Sequence, residues 1–254
     1  MTYESLGYYL EHQIEQVSGW CSRQIWQIIL PIVDFQNSIS VHNPVAEIGV
    51  LHGKFFLGLV ATKNADTGNF AIDVFSMQQF NLDGAGAGNR DTLLTNARIH
   101  GFSLESLELL ECDSMAIDFM QIEDMRAKSG GGFSLFSVDG CHLPEHTIND
   151  VSIAMGLTVS AGLIFVDDYT NPDWPGVVEG MAKLYLSGAP RFVPLVVAHN
   201  KLFLCHLSYH RQYLELLTDK LTRLSIHFKR VQRFGYDCLT VHLDAASKNY
   251  LGRI

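Results

Sequence analysis

The sequence predicts an α/β protein built on a doubly wound, mostly parallel sheet. Three observations carry that expectation. From Pro44 onward, short apolar runs alternate with longer amphipathic stretches, the rhythm of strands joined by crossover helices. Hydrophobic residues make up 47% of the 254 residues and charged residues 18%, enough for a sizeable core and too apolar for disorder. Acidic residues fall just after the apolar runs, where open α/β sheets bind ligands.

The first forty or so residues read as helical. In "YYLEHQIEQV", Leu10, Ile14 and Val17 have helical spacing, and Gly19 breaks the pattern. "SRQIWQIILPIVDFQ" repeats it, with Ser22 placed as an N-cap and Pro31 expected to kink or end the helix. The division expected is an N-terminal helical segment, 1–43, and a main domain, 44–254. The first would serve as a substrate cap or in dimer contacts, which leaves a homo-oligomer open.

Strands are expected at 45–50, 69–75, 107–112, 133–140, 162–168, 191–198, 201–207 and 237–243. Helices are expected at 53–63, 90–100, 114–126, 144–156, 175–187 and 210–230. The close pair joined by His199 and Asn200 reads as an antiparallel hairpin at one edge of the sheet. "DGAGAGN", Asp83 to Asn89, reads as a flexible loop.

The charge balance narrows the partners. A formal net charge of −9 argues against nucleic acid, which calls for a basic patch. The basic cluster His227, Lys229, Arg230 and Arg233 reads as a solvated helix face. The longest charge-free stretch, Val151 to Val166, is too short for a membrane span and is broken by glycines. Five scattered cysteines without a C-x-x-C pair read as reduced thiols, and with no signal-peptide pattern a soluble, cytoplasmic protein is expected.

Three groups of residues could carry chemistry. In "EIGVLHGKFF", Glu47 ends a strand, and Gly49 and Gly53 open a helix whose N–H groups are free. The spacing is not that of a pyrophosphate or P-loop motif, so neither a dinucleotide nor a nucleoside triphosphate is favoured. Asp73 ends the next strand, 26 residues after Glu47, and is placed to accept from ribose hydroxyls. "SVDGCH" and "FVDDY" bring Asp139, Asp167 and Asp168 to neighbouring strand ends. Three such carboxylates repel unless a cation joins them, and all-oxygen ligation favours Mg²⁺, Mn²⁺ or Ca²⁺. His142, three residues after Asp139, suits a general base. "CHLPEH" and "CHLSYH" have the wrong spacing for zinc, and no G-x-S-x-G elbow occurs. Trp174 reads as a packing residue near enough to line the site.

Together, "EIGVLHGKFF", "AIDVF" with its following Gln and Asn, "VDGCH" and "FVDDYTNPDWPGV" resemble class I S-adenosylmethionine-dependent methyltransferases. The closest likeness is to the metal-dependent sugar O-methyltransferases of the macrocin and mycinamicin type. The resemblance implies a Rossmann-like, seven-stranded, mostly parallel sheet with a reversed edge strand. It implies that Gly49 and Gly53 face the methionine part of the cofactor, with Glu47 near its amino group. It implies that Asp73 holds the ribose, that Asp113 and Ser114 lie near the adenine, and that Gln78 and Asn81 are polar cofactor contacts. It implies metal ligation by Asp139, Asp167 and Asp168, with His142 as base and Asp139 shared by the catalytic and cofactor sites. The reaction implied is metal-assisted O-methylation of a vicinal diol on a sugar or glycoside. Catechol-type chemistry, and cofactor binding without turnover, stay open beside it. Cys141 and the arginine-free "DGAGAGN" depart from the family pattern, and the last fifty or so residues match nothing in it.

Overall fold

Nine strands line up in one sheet in the order β3-β2-β1-β4-β5-β7-β6-β9-β8. The computed structural model describes residues 3–63, 65–188 and 190–243, with side chains from Leu6 onward. The expected main domain therefore ends, as described, at Leu243, and 244–254 lie outside the described residues.

The strands are β1 (Val45–Ile48), β2 (Asn69–Asp73), β3 (Leu107–Glu111), β4 (Phe133–Val138) and β5 (Thr158–Val166). After them come β6 (Phe192–Ala198), β7 (Lys201–His206), β8 (His227–Arg233) and β9 (Tyr236–His242). The helices are α1 (Tyr3–Tyr8), α2 (Trp26–Ser38), α3 (Lys54–Lys63), α4 (Arg90–Ile99), α5 (Phe119–Lys128), α6 (Pro144–Leu157), α7 (Pro175–Ser187) and α8 (Leu207–Arg223). Strands β1 to β5 pair in parallel, so all their carboxyl ends lie at one edge.

The central strands are apolar on both faces because helices cover both. Along β5, Leu163 and Phe165 enter one core with Trp26 of α2, Phe55 of α3 and Leu217 of α8. Ile164 and Val166 enter the other with Met125 of α5, Val151 of α6 and Met181 of α7. This is the period of two that a strand imposes on its side chains.

Several expectations need correction. The sheet has nine strands among the described residues, not seven. The hairpin of β6 and β7 is not at an edge. Strand β7 lies between β5 and β6, antiparallel to both. Beyond β6 the sheet is extended by β9, parallel to it, and then by β8. The helix expected to reach residue 230 stops at Arg223, and Ser225 turns the chain at φ 55°. Phe228 and Val231 explain the misreading. A spacing of three suits one helix face, but here they join opposite faces of the sheet. His227, Lys229, Arg230 and Arg233 accordingly lie on the edge strand β8, where charge opposes pairing with another chain.

Nor does Pro31 end its helix. α2 runs through it to Ser38, with Trp26, Ile28, Ile29, Ile32 and Val33 all buried. That packing outweighs the roughly 3 kcal/mol that an internal proline costs. The expected helix at 114–126 divides into a short turn at Ser114–Ala116 and α5, which Asp118 and Gln121 start with a reciprocal capping box. At the N-terminus, Leu10, Ile14 and Val17 are buried as expected, on a chain that passes from α1 into a π turn and a 3₁₀ turn. Ser22 does precede the next helical turn, but its side chain makes no capping bond there.

Candidate active site

The carboxyl ends of the parallel strands open into a cleft of about 550 Å³. Glu47, Gly49, Asp73, Gln78, Asn81, Asp113, Ser114, Asp139, His142, Asp167 and Asp168 all line it. Gly53 is not among the lining residues; a Cβ there would meet Leu93 at 2.3 Å, so it serves the seating of α3.

Register explains why the polar ends meet. Ile48 pairs with Val138, and Val138 with Val166. The residues that follow, Gly49, Asp139 and Asp167, therefore emerge side by side. Gly49 has φ 83°, and its missing Cβ would lie 1.8 Å from the Asp139 carbonyl oxygen. Glycine is required there by the closeness of the neighbouring strand end. Beneath this turn Glu47 is buried. Burial, then the charge of Asp139, pushes its carboxyl up to about 8.

Asp73 ties the glycine turn to β2. Its Oδ2 accepts from Val50 N at 2.8 Å and Leu51 N at 2.9 Å, and its Oδ1 from Phe75 N at 2.8 Å. A carboxylate has about four lone-pair sites, so one remains for a ligand. Gln78 donates to Phe75 O and accepts from Asn81, which also donates to Gly86 O. Both side chains thus hold the loop that walls the cleft. Asp113 caps the turn after β3 by accepting from Met115 N, beside the buried Ser114.

His142 is the centre of the acidic cluster. Its Nδ1 donates to Asp83 Oδ2 at 2.7 Å. Its Nε2 faces Asp168 Oδ2 at 2.9 Å and Asp139 Oδ1 at 3.9 Å. Neither contact has hydrogen-bond geometry, and this buried nitrogen has no hydrogen-bond partner among the described residues. Trp174 stacks on the ring, with centroids 4.4 Å apart and planes at 16°. Burial disfavours the charged ring, but the carboxylates of Asp139, Asp168 and Asp83 outweigh it and push its pKa up to about 11. Burial and then the charge of Asp167 push Asp139 up to about 7.

Asp167 and Asp168 diverge. Asp168, at φ 54°, turns off the strand end. Its Oδ1 accepts from Asn171 Nδ2 at 2.8 Å and Asn200 Nδ2 at 2.6 Å, leaving Oδ2 toward His142. Asp167 instead pairs with the ammonium of Lys201. Single atoms of Asp139, His142 and Asp168 lie within 4.8 Å of one another, a geometry that could hold a metal ion.

The described residues therefore include a donor set that fits a divalent cation. A buried imidazole nitrogen without a hydrogen bond faces two carboxylates. The same edge offers a buried carboxylate, Glu47, beside a glycine turn, which fit the amino acid end of a cofactor.

No family model matches this chain, and no curated protein does. Solved structures do. The structure of the O-methyltransferase NovP superposes with a TM-score of 0.58 at 12% identity, over 80% of this chain and 97% of that one. This chain shares the fold of that O-methyltransferase. The MycE methyltransferase from the mycinamycin biosynthetic pathway, in complex with Mg and SAH, superposes with a TM-score of 0.52 at 15% identity. That match covers 79% of this chain, which spans about half, 54%, of the MycE chain. The SAH-bound Podospora anserina methyltransferase PaMTH1 gives 0.50 at 15% identity, over 80% of this chain and 88% of that one.

On this fold, four participants in the cleft are not singled out by the sequence. The sequence puts Asp83 in a flexible loop and Asn200 in a turn, Lys201 at the first position of a strand and Asn171 in a loop. His199 and Asn200, at φ 44° and 72°, form the two-residue turn that starts β7. Because β7 is antiparallel, its first residue lies at the same edge as the last residues of β5. No helix among the described residues is long and apolar enough to cross a membrane.

Proposed function

We propose that this chain is an S-adenosylmethionine-dependent O-methyltransferase, assisted by a divalent cation, that acts on a hydroxyl of a vicinal diol on a sugar or glycoside. The observation that carries the reading is the ring of carboxylates about His142. Three carboxylates face its ring and favour its protonated form. It becomes a base only when the charge of Asp139 and Asp168 is met by another cation, so base and cation belong to one site.

The residues divide the work. Glu47 receives the cofactor's amino group, the turn at Gly49 lies along its methionine part, and Asp73 accepts from one ribose hydroxyl. Gln78 and Asn81 hold the wall beside it, and Asp113 and Ser114 face the adenine end. Asp139 and Asp168 hold the cation, which when bound supplies Lewis acidity to the acceptor hydroxyl. His142 Nε2 takes the hydroxyl proton, and Asp83 at Nδ1 stabilises the imidazolium that results. The acceptor oxygen forms its new bond to the methyl carbon as the sulfur–carbon bond breaks, leaving S-adenosylhomocysteine. The 1–43 segment caps the acceptor side: Ser18 to Ser22 line the cleft.

The test is incubation of the purified protein with S-adenosylmethionine, Mg²⁺ or Mn²⁺, and a panel of vicinal-diol glycosides and catechols, read by mass spectrometry. A glycoside gaining one methyl, lost on chelation and in His142→Ala, is expected. Failure to bind S-adenosylmethionine in calorimetry would overturn the reading. Methylation of catechols alone would move the acceptor class.

A further inference from the structure

We infer that Lys201 is a resident cation of the acidic cluster: it holds Asp167 out of the ligand set and sets how tightly a divalent ion binds between Asp139 and Asp168. The inference rests on the proposed reading only in taking this cleft as the cation's site.

The placement follows from register. Val166 pairs with Leu202 across the antiparallel β5–β7 ladder. The next pair outward is Asp167 and Lys201, and the lysine Nζ contacts Asp167 Oδ2. The lysine side chain is 4% exposed. Its Nζ lies 4.3 Å from the centre of the Phe55 ring, a second site of attraction for an ammonium. Leaving this position would strand a buried carboxylate, which is strongly unfavourable.

Both oxygens of Asp167 are thereby engaged. Oδ2 meets Lys201, and Oδ1 accepts from Asp168 N at 2.9 Å. By contrast, Asp168 keeps Oδ2 on the His142 side, and Asp139 points Oδ1 to the same nitrogen. The buried Nε2 of His142, which makes no hydrogen bond, faces these two carboxylates and not Asp167. A divalent ion entering there meets two carboxylate ligands and a fixed positive charge nearby. Lys201 stands in for part of the charge that a third free carboxylate would otherwise draw from the metal.

The probe is Mn²⁺ alone, with free ion measured by electron paramagnetic resonance on the full chain. Variants are Lys201→Met, Lys201→Gln, Asp167→Asn and Asp167→Asn/Lys201→Met. Removing a unit positive charge from the cluster should tighten Mn²⁺ binding about tenfold or more in Lys201→Met. Asp167→Asn should weaken binding by no more than Lys201→Met tightens it, because it removes one unit of charge and no ligand. The double variant should lose the gain, because no carboxylate is released. Should Lys201→Met fail to fold, Lys201→Gln retains a donor without the charge and carries the same expectation. Unchanged or weaker binding in the folded lysine variants overturns the inference. A loss in Asp167→Asn about tenfold larger than the gain in Lys201→Met also overturns it, since Asp167 would then be a ligand. These readouts need no turnover. Absence of methyl transfer would sink the proposed function and leave the Mn²⁺ result standing.

Discussion

Asp83 holds His142 twice: its Oδ2 accepts from the His142 backbone N–H and from ring Nδ1, each at 2.7 Å. Burial alone would raise the Asp83 carboxyl, but these bonds and the ring's charge bring it well below the usual carboxylate range. The carboxylate stays ionised, so Nδ1 must be the donor and Nε2 is left facing the cleft. One bond thus fixes both the tautomer and the loop that carries Asp83.

Asp83→Asn is therefore expected to lower kcat by up to about a hundredfold to ten-thousandfold, the range that a general base contributes. KM for S-adenosylmethionine should change far less. Hydrogen exchange over 83–89 should rise in the same variant. A variant with the parent's kcat and faster exchange would limit Asp83 to holding the loop.

Glu47 makes cofactor binding pH-dependent. Burial, then Asp139, raises its carboxyl to about 8 in the protein alone, so it is mostly protonated at neutral pH. A cationic amino group placed beside it favours the carboxylate. Binding of S-adenosylmethionine near pH 7 should release a proton, and affinity should rise with pH up to about 8. Calorimetry in two buffers of different ionisation enthalpy measures the release. Glu47→Gln should abolish it and weaken binding about tenfold. Equal proton release in that variant would assign the proton to another group.

Asp73, Asp139 and Asp168 were legible because each stands at or just past the end of an apolar run, and Glu47 because a carboxylate interrupts one; neither sign needs register to be recognised. Lys201 and Asp83 were not. Lys201 reaches Asp167 only through the pairing of Val166 with Leu202, a contact 36 residues apart in the chain. Asp83 lies in a glycine-rich loop without periodicity, and its 2.7 Å contact spans 59 residues. The same limit hid β8, since Phe228 and Val231 satisfy a helix and a strand equally until β9 is there to pair. Local pattern fixes which residues end a strand; long-range pairing decides which of them touch.

Gly49 separates close packing from backbone conformation. A Cβ there would lie 1.8 Å from the Asp139 carbonyl oxygen, a backbone atom that cannot swing aside, at φ 83°. Gly84 has a similar φ, 68°, with nothing within 4 Å. Gly84→Ala should cost about 1–2 kcal/mol, the conformational penalty alone. Gly49→Ala should cost clearly more, about 4 kcal/mol or loss of the fold, because Asp139 must move. Urea denaturation of both variants decides it, and equal costs would mean that the neighbouring strand end yields easily.

Lys63 gives stability a slope at alkaline pH. Its ammonium donates to Gln36 Oε1 at 3.0 Å and Val41 O at 2.7 Å, yet burial pushes its pKa down to about 8. The unfolded chain holds that proton to about 10.4. Between about 8 and 10.4 the unfolded state therefore binds more protons than the folded one, and stability rises with pH. Below that window both states are protonated and the burial penalty is constant. The gain across it is at most about 3 kcal/mol. Other groups titrate there too, so the measurement is the difference in urea stability between the parent and Lys63→Met from pH 7 to 10.5. That difference should move toward the parent as pH rises. A flat difference would mean that the acceptors around Lys63 compensate its burial and hold the ammonium at its ordinary value.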